Sequence, residues 1–273
     1  MSSLKTPMTA EFAGKTAVIT GSTSGIGKAV ACELASAGAA VVLHGAHRRR
    51  ALENLARRLA SQGVAVLPLM ADFSLPADRR LFLDSVCKWR PSIDILVLCA
   101  GADILSPPLV HASFDDKLHA LWQVDVLGTI ELSREIGLRM KHRGRGLIIT
   151  IGWDAAFRGM ETDSAQLFAA AKGAVMAFTL SLAHALAPHV RVLCIAPGWI
   201  RTAWARRASA VWENRARLQS LRRRWGQPHD IARIVRFLAS PAADFLNAQI
   251  IPVNGGFDAA SFFSASSAFP RPG

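Results

Sequence analysis

The sequence predicts a single doubly wound α/β domain with a seven-stranded, mainly parallel sheet and helices on both faces. Short apolar segments alternate with longer helical patterns along the 273 residues. The short segments are nearly continuous apolar runs, which is typical of strands that are buried on both faces. Apolar residues make up 51% of the chain, enough to bury a large core. A glycine-rich segment directly follows the first apolar run, at 21–27.

The elements are expected in strict alternation and without an internal linker. The predicted strands are 16–20, 39–44, 64–70, 94–98, 147–151, 190–195 and 249–253. The predicted helices are 27–37, 49–61, 78–88, 114–141, 165–187 and 230–239. Residues 1–13 are expected to be an N-terminal extension, 14–257 the domain, and 258–273 a tail, because the tail is rich in Ser, Ala, Phe and Pro without periodicity.

The net charge of +12 is concentrated in two groups of arginines, near 48–58 and within 201–224. No nucleic-acid-binding motif accompanies them, and no aromatic residues are interleaved for base stacking, so nucleic acid is not an expected partner. Solvated arginine-rich faces and anionic small molecules remain as the two explanations.

Cysteine spacing and apolar run length predict the compartment. The four cysteines lie far apart, so we expect neither a metal site nor a disulfide framework, which fits a reducing cytoplasm. The first residues contain no apolar run of signal-peptide length. No stretch reaches about 18 uninterrupted apolar residues, so a membrane span is not expected.

The glycine-rich segment is predicted to bind phosphate. It consists of Gly21, Ser22, Thr23, Ser24, Gly25, Ile26 and Gly27. Gly21 permits a tight turn, while Gly25 and Gly27 let backbone amides and a helix N-terminus approach a pyrophosphate. Because the segment lies between a predicted strand and a predicted helix, it indicates a Rossmann-type dinucleotide site.

The end of the second strand predicts which dinucleotide binds. An acidic residue there would accept hydrogen bonds from the adenosine ribose and repel a 2′-phosphate. This chain has no acid at that point and carries His47 and Arg48 instead. We therefore expect NADP(H) in preference to NAD(H). The alternative is that 48–50 only begin a solvated helix face.

With its G-x-x-x-G-x-G spacing, the chain resembles the short-chain dehydrogenase/reductase family over residues 14–257. Further segments carry the resemblance and would contact the cofactor: Asp72 and Phe73; Cys99, Ala100 and Gly101; Pro197, Gly198, Ile200 and Thr202. In the family, Asp72 would contact the adenine, and Ile200 and Thr202 would hold the nicotinamide carboxamide. Two asparagines of the family's turn at 98–101 are missing here.

The resemblance also implies a catalytic tyrosine, lysine, serine and asparagine, and most of these have changed. Lys172 is retained, but four residues before it stands Phe168, and the chain contains no tyrosine. Trp153 occupies the serine position when the fifth strand is matched; counting back from Phe168 gives Ala155 instead. Asp125 replaces the asparagine. The resemblance therefore implies an atypical member that lacks the catalytic tyrosine and serine.

Several residues are candidates to replace the lost proton donor. Asp154 is the leading one because it ends the fifth strand at the expected substrate cleft, although it could instead cap a loop. Lys172 could act itself or through a bound water. Asp125 could form a buried ion pair with Lys172 and be structural. Trp153 could stack on a flat substrate or partly fill the pocket.

Three functions remain open. The first is an NADP(H)-dependent oxidoreductase with a substituted proton donor, acting on a carbonyl or alcohol substrate that is aromatic or anionic. The second is a redox-inactive nucleotide-binding protein with a regulatory or structural role, and the third is a non-redox isomerase or lyase. The resemblance implies a homodimer or homotetramer, and the apolar helix 168–185 suits a contact between subunits.

Overall fold

A computed structural model describes residues 11–203, 205 and 208–258. Seven strands form one sheet in the order β3-β2-β1-β4-β5-β6-β7, and every neighbouring pair is parallel. The strands are β1 (Thr16–Thr20), β2 (Ala40–Gly45), β3 (Val66–Met70), β4 (Ile95–Leu98), β5 (Gly146–Ile151), β6 (Val190–Pro197) and β7 (Ile250–Val253). The predicted doubly wound, seven-stranded fold is confirmed.

Helices cover both faces of the sheet. They are α1 (Gly25–Ser36), α2 (Arg49–Ala60), α3 (Pro76–Trp89), α4 (Phe114–Leu121), α5 (Gly128–His142), α6 (Asp163–Leu186), α7 (Ala210–Leu218) and α8 (Pro228–Ala239). On one face, α1, α2 and α8 bury residues such as Leu34, Leu52 and Val235 against the sheet. On the other face, α3, α5 and α6 bury Phe82, Ile136 and their neighbours.

The strand order changes direction between β1 and β4. From β1, the strands β2 and β3 follow toward one edge of the sheet. From β4, the strands β5, β6 and β7 follow toward the other edge. In open α/β sheets, ligands bind outside the carboxyl ends of the strands at such a reversal. The fold therefore places the glycine-rich segment after β1 next to the turn after β4.

One predicted helix is divided in the structure. The expected helix 114–141 consists of α4, a π-helical segment over Trp122–Leu127, and α5. An apolar periodicity does not distinguish i→i+5 from i→i+4 hydrogen bonding, so the sequence pattern could not show the wider turns. Such π segments occur frequently at functional sites, and this one contains Asp125.

The packed domain begins before residue 14. Phe12 is 3% exposed, lies in the core, and its amide donates a hydrogen bond to the Ala37 carbonyl at 2.7 Å. Part of the predicted extension 1–13 therefore belongs to the fold. Of the predicted tail, Asp258 lies within the described residues, and its amide donates to the Gln219 carbonyl.

Helix α6 is long and apolar enough to cross a membrane by length and composition. In the structure it packs against β5, β6 and α5. Residues along its length, such as Ala171, Val175 and Leu182, are buried in the two cores on that face.

Candidate active site

The glycine-rich segment adopts a conformation that needs its glycines. Gly21 and Gly25 have φ values of +63° and +52°, in the left-handed region. A Cβ atom on Gly21 would lie 2.8 Å from the Cys99 carbonyl oxygen. A Cβ atom on Gly27 would overlap the Gly21 carbonyl. The backbone after β1 therefore passes directly against the backbone after β4, and side chains cannot enter between them.

The N-terminus of α1 is available to an anion. Ser24 is the N-cap residue, but its side chain caps no backbone amide, and the first turn contains no acidic residue. The orphan amides of that turn and the positive end of the helix dipole both favour a phosphate. The glycine-rich segment and the start of α1 therefore fit the pyrophosphate of a dinucleotide, and Gly25, Ile26 and Gly27 would supply the amides.

Not every residue of the segment faces outward. The hydroxyl of Ser22 is buried, donates to the His44 carbonyl at 3.1 Å and accepts from the His44 amide at 2.8 Å. The Ser22 side chain therefore joins β1 to β2, and a contact between Ser22 and the cofactor stays a prediction. The Thr23 side chain packs against Gly45 at the end of β2.

His44 was not predicted to belong to the site, yet it supports the glycine-rich segment from below. Its Nδ1 accepts from the Gly21 amide at 3.0 Å, so its Nε2 carries the proton and donates to the Ala71 carbonyl at 2.9 Å. Burial lowers the pKa of His44 to about 4, against smaller opposing effects of Ala71 and Asp72. The signal in the sequence was a histidine inside an otherwise apolar strand.

The two residues after β3 that are predicted to contact the cofactor differ in exposure. Asp72 is half-buried and accepts from the amide and hydroxyl of Ser74. Burial raises the pKa of Asp72, but these hydrogen bonds outweigh it and keep the pKa below its usual value. The Phe73 ring is 2% exposed and stacks on His44 with centroids 3.9 Å apart. The Phe73 ring therefore packs within the domain, and a contact between Phe73 and the cofactor stays a prediction.

The edge beyond β2 is basic and open. His47 and Arg48 are exposed just before α2. The Arg48 guanidinium forms no ion pair with any described residue, whereas the neighbouring Arg49 pairs with Glu53 at 3.9 Å. Since no acidic side chain occupies the end of β2, this edge can accept a phosphate group.

The turn after β4 is tied to its neighbours by backbone amides. The Ala100 amide donates to Thr20 Oγ1 at 3.0 Å, and the Ala102 amide donates to Asp125 Oδ2 at 2.8 Å. A Cβ atom on Gly101 would lie 3.0 Å from Asp125 Oδ1. Burial raises the pKa of the Cys99 thiol to about 12, partly offset by Lys172, so the thiol is protonated at neutral pH.

Lys172 and Asp125 form an ion pair at the base of the expected cleft. Lys172 Nζ lies 2.8 Å from Asp125 Oδ1, and the Asp125 side chain is 1% exposed. The other carboxylate oxygen is the acceptor for the Ala102 amide. Asp125 therefore fixes the ammonium group of Lys172 relative to the turn after β4.

Aromatic rings occupy the two positions at which the family resemblance implies a tyrosine and a serine hydroxyl. Trp153 and Phe168 contact each other edge to face, with ring centroids 6.2 Å apart and an interplanar angle of 63°. Phe168 also packs against the small core formed around Leu121, Val126 and Val175. Neither ring carries a transferable proton at neutral pH.

Asp154 is held by two donors. Its Oδ2 accepts from an Arg158 guanidinium nitrogen at 2.6 Å and from the Asn254 amide at 2.9 Å, and the residue is 6% exposed. The Arg158 guanidinium in turn lies over the Phe257 ring, 3.7 Å from its centroid. These contacts fasten the segment after β5 to the end of the domain.

A small cavity that is open to solvent lies beside Trp153 and Asp154. Arg158, Met160, Trp199 and Phe257 also line it. Three of the ten lining residues are aromatic, and the single arginine of the lining is paired with its single aspartate.

The segment after β6 reaches the glycine-rich segment. Pro197 ends β6, and a Cβ atom on Gly198 would lie 2.5 Å from Asn254 Cβ. Ile200 is buried and forms a bridge with Gly226. A Cβ atom on Gly25 would lie 3.4 Å from the Thr202 methyl group. This segment therefore covers the site on the side opposite the turn after β4.

Most of the described arginines between 201 and 224 form ion pairs with acidic residues of the protein. The pairs are Arg201 with Glu213, Arg215 with Glu161, Arg223 with Asp258, and Arg224 with Asp230. The Arg215 hydrogen bonds lower the pKa of Glu161 more than burial raises it. Trp204, Arg206 and Arg207 lie outside the described residues. This pairing weakens the case for an anionic substrate.

Known proteins match the chain over the same region. Residues 21–258 match the family described as Enoyl-(Acyl carrier protein) reductase. Cyclohexanol dehydrogenase from Rhodococcus sp. (strain TK6) is 31% identical over 89% of this chain and 96% of its own length. The chain belongs to the short-chain dehydrogenase/reductase family.

Solved short-chain dehydrogenases agree with this assignment. One from Burkholderia cenocepacia J2315, in complex with NADP, has a TM-score of 0.80 and 27% identity, covering 90% of this chain and 98% of that one. A 7α-hydroxysteroid dehydrogenase complexed with NADH and 7-oxo glycochenodeoxycholic acid has a TM-score of 0.81 and 29% identity, covering 90% and 95%. Nicotinamide cofactors of both kinds thus occur among the neighbours of this short-chain dehydrogenase/reductase.

Proposed function

We propose that this protein is an NADP(H)-dependent oxidoreductase that transfers hydride without a tyrosine-type proton donor. The Lys172–Asp125 ion pair carries the proposal, since it keeps a fixed ammonium group at the base of the cleft although the neighbouring tyrosine position is Phe168. When bound, a nicotinamide cofactor supplies or accepts the hydride. The uncapped amides at the start of α1 would hold its pyrophosphate.

The preference for NADP(H) rests on the basic edge beyond β2. Arg48 is exposed and unpaired among the described residues, and His47 stands beside it. Together they would neutralise a 2′-phosphate, and no acidic side chain there would repel it. Isothermal titration of the purified protein with NADPH and NADH tests this part: tighter binding of NADH would refute it.

The proton route is proposed to run through water at Lys172 and not through Asp154. Asp154 Oδ2 already accepts hydrogen bonds from Arg158 and Asn254, so this carboxylate is engaged within the protein. The Lys172 ammonium is exposed enough, at 14%, to order a water molecule in the cleft. Loss of a positioned general acid costs about 10²- to 10⁴-fold in rate, so turnover of ordinary carbonyl substrates is expected to be slow.

A redox-inactive nucleotide-binding protein is the second candidate, and the Trp153–Phe168 contact favours it. Two aromatic rings stand where the family's donors would be, so the site could bind a nucleotide and a ligand without turnover. Incubation with stereospecifically deuterated NADPH and a panel of aromatic aldehydes and ketones separates the two functions. Deuterium in the product supports the oxidoreductase; tight NADPH binding without transfer supports the alternative.

We further propose a cytoplasmic homodimer or homotetramer. Leu138 on α5 and Trp122 in the π-helical segment are large exposed apolar residues, and α6 exposes Ala170 and Ala177 on its outer side. All four cysteines are unpaired thiols, which suits a reducing compartment. Light scattering of the purified protein tests the assembly, and a monomeric mass would count against it.

A further inference from the structure

Arg79 of α3 is a charged residue that is only 1% exposed, and it lies against the turn that follows β3. We propose that Arg79 is a positioning residue of the dinucleotide site: it holds this turn, residues 71–74, against His44, which in turn holds the glycine-rich segment. This role rests on the proposed binding of a dinucleotide and adds to the site a residue that the sequence patterns did not indicate.

All three guanidinium nitrogens of Arg79 donate hydrogen bonds. Nε donates to Glu131 Oε2 at 2.6 Å and Nη2 donates to Glu131 Oε1 at 3.0 Å, which is a bidentate pair with α5. Nη1 donates to the backbone carbonyl of Phe73. Because the guanidinium is a planar, rigid fork, Arg79 fixes the turn after β3 relative to both α3 and α5.

Stability does not account for a charge at this position. Replacing a buried ion pair by apolar side chains of similar volume is often neutral or stabilising for a protein. The Glu131 side chain is 42% exposed, so solvent also weakens its attraction for Arg79. An apolar side chain could fill the space that Arg79 occupies, but it could not donate a hydrogen bond to the Phe73 carbonyl.

Phe73 transmits this restraint to the glycine-rich segment. Its ring stacks on the His44 imidazole, with the centroids 3.9 Å apart and an angle of 9° between the planes. Phe82 of α3 packs edge to face against both rings, with centroids 5.3 Å from His44 and 5.2 Å from Phe73. The imidazole plane is thereby fixed while its two nitrogens bond to the Gly21 amide and the Ala71 carbonyl. A displacement of Phe73 would therefore disturb the contact with Gly21.

A second contact from α3 holds the same turn. Asp78 Oδ2 accepts a hydrogen bond from the Asp72 amide at 2.7 Å. Asp78 and Arg79 are adjacent, so α3 binds the backbone of two consecutive residues of the turn, the amide of Asp72 and the carbonyl of Phe73. The turn is thus fixed from one helix, and Arg79 is the member of this pair that also reaches α5.

The first test needs no nucleotide. Hydrogen exchange of the Gly21 amide is measured by NMR relative to that of Val97, which lies in the middle of the sheet and reports global unfolding. We expect the ratio of the two rates to rise about 2- to 30-fold in Arg79→Met, the range for residues that act through a network. Arg191→Met is the matched control, because Arg191 also donates to backbone carbonyls, but near the amino end of β6. It should leave the ratio unchanged.

The second test measures NADPH binding by calorimetry. Arg79→Met should weaken binding about 2- to 30-fold, and Arg191→Met should not weaken it. His44→Leu removes the ring through which Arg79 acts, so adding Arg79→Met to that variant should have little further effect. Independent sites would instead multiply their effects.

The outcomes separate this inference from the proposed function. An unchanged exchange ratio in Arg79→Met, or losses of NADPH affinity that multiply in the double variant, overturns the inference and leaves nucleotide binding standing. If the wild-type protein binds neither NADPH nor NADH, the proposed function is wrong, and the exchange of Gly21 still decides whether Arg79 holds the segment. If Arg79→Met does not fold, Arg79→Lys keeps the charge beside Glu131 without the fork, and the same two results are expected.

Discussion

The Gly21 amide donates a hydrogen bond to Nδ1 of His44 at 3.0 Å, so this contact of the glycine-rich segment requires a neutral imidazole. The other nitrogen of the ring is bonded to the Ala71 carbonyl at 2.9 Å. One buried side chain therefore joins the segments after β1 and β3, and protonation of Nδ1 would break the bond to Gly21. The position of the glycine-rich segment is thereby coupled to pH.

This coupling predicts acid sensitivity of folding. The pKa of His44 falls from 6.5 to about 4 on folding, so the unfolded chain binds more protons between these values and stability is lost as pH falls through this window. The contribution is fully present above the unfolded pKa. From about pH 7.5 to about 5, we expect His44 to cost about 2 kcal/mol of unfolding free energy. Urea denaturation of wild type and His44→Gln measures the difference, and parallel losses in both proteins would contradict it.

A second prediction concerns Asp154. Because its carboxylate accepts from Arg158 and Asn254, Asp154→Asn should destabilise the fold by about 1–3 kcal/mol through unpaired polar groups. Its kcat should change only a few-fold. Arg158→Met, which breaks the same pair from the other side, is the matched control and should behave alike. A loss of about 100-fold or more in kcat in Asp154→Asn alone would identify Asp154 as the proton donor.

A third prediction separates the two roles of Lys172. Lys172→Met leaves Asp125 buried and unpaired, which should cost about 3–5 kcal/mol of stability. Adding Asp125→Asn to this variant removes the unpaired buried charge. The asparagine amide oxygen can still accept the hydrogen bond from the Ala102 amide. We expect the double variant to recover most of the stability but none of the turnover. Recovery of both in thermal unfolding and kinetic assays would make the ion pair purely structural.

Much of this arrangement followed from sequence, and the failures have physical causes. The apolar runs and the glycines at 21–27 predict the sheet and the cradle, because both depend on local patterns. The Lys172–Asp125 pair was one of the alternatives. By contrast, Asp154 accepts a hydrogen bond from Asn254, which is 100 residues away in the sequence. No local spacing could predict that contact. Ser22 and Phe73 match family positions, but their side chains pack inward on His44.

A fourth prediction addresses cofactor choice. Arg48→Gln should weaken NADPH binding by about 10- to 100-fold, the equivalent of one lost charge-assisted hydrogen bond, and leave NADH binding unchanged. Arg50→Gln, also exposed but further along α2, is the control and should affect neither cofactor. Calorimetric dissociation constants of the two variants for NADPH and NADH test this prediction. An equal loss for both cofactors would show that Arg48 does not contact the 2′-phosphate.

The last prediction restores the missing donors. Phe168→Tyr alone should change ketone reduction little, because the Trp153 ring contacts that position edge to face and a small hydroxyl is still lacking beside it. Phe168→Tyr with Trp153→Ser supplies both groups next to Lys172, one helical turn away. The double variant should gain about 10²- to 10⁴-fold in ketone reduction. If the double variant binds NADPH and stays folded but gains no ketone reductase activity, the assignment of these two positions is wrong.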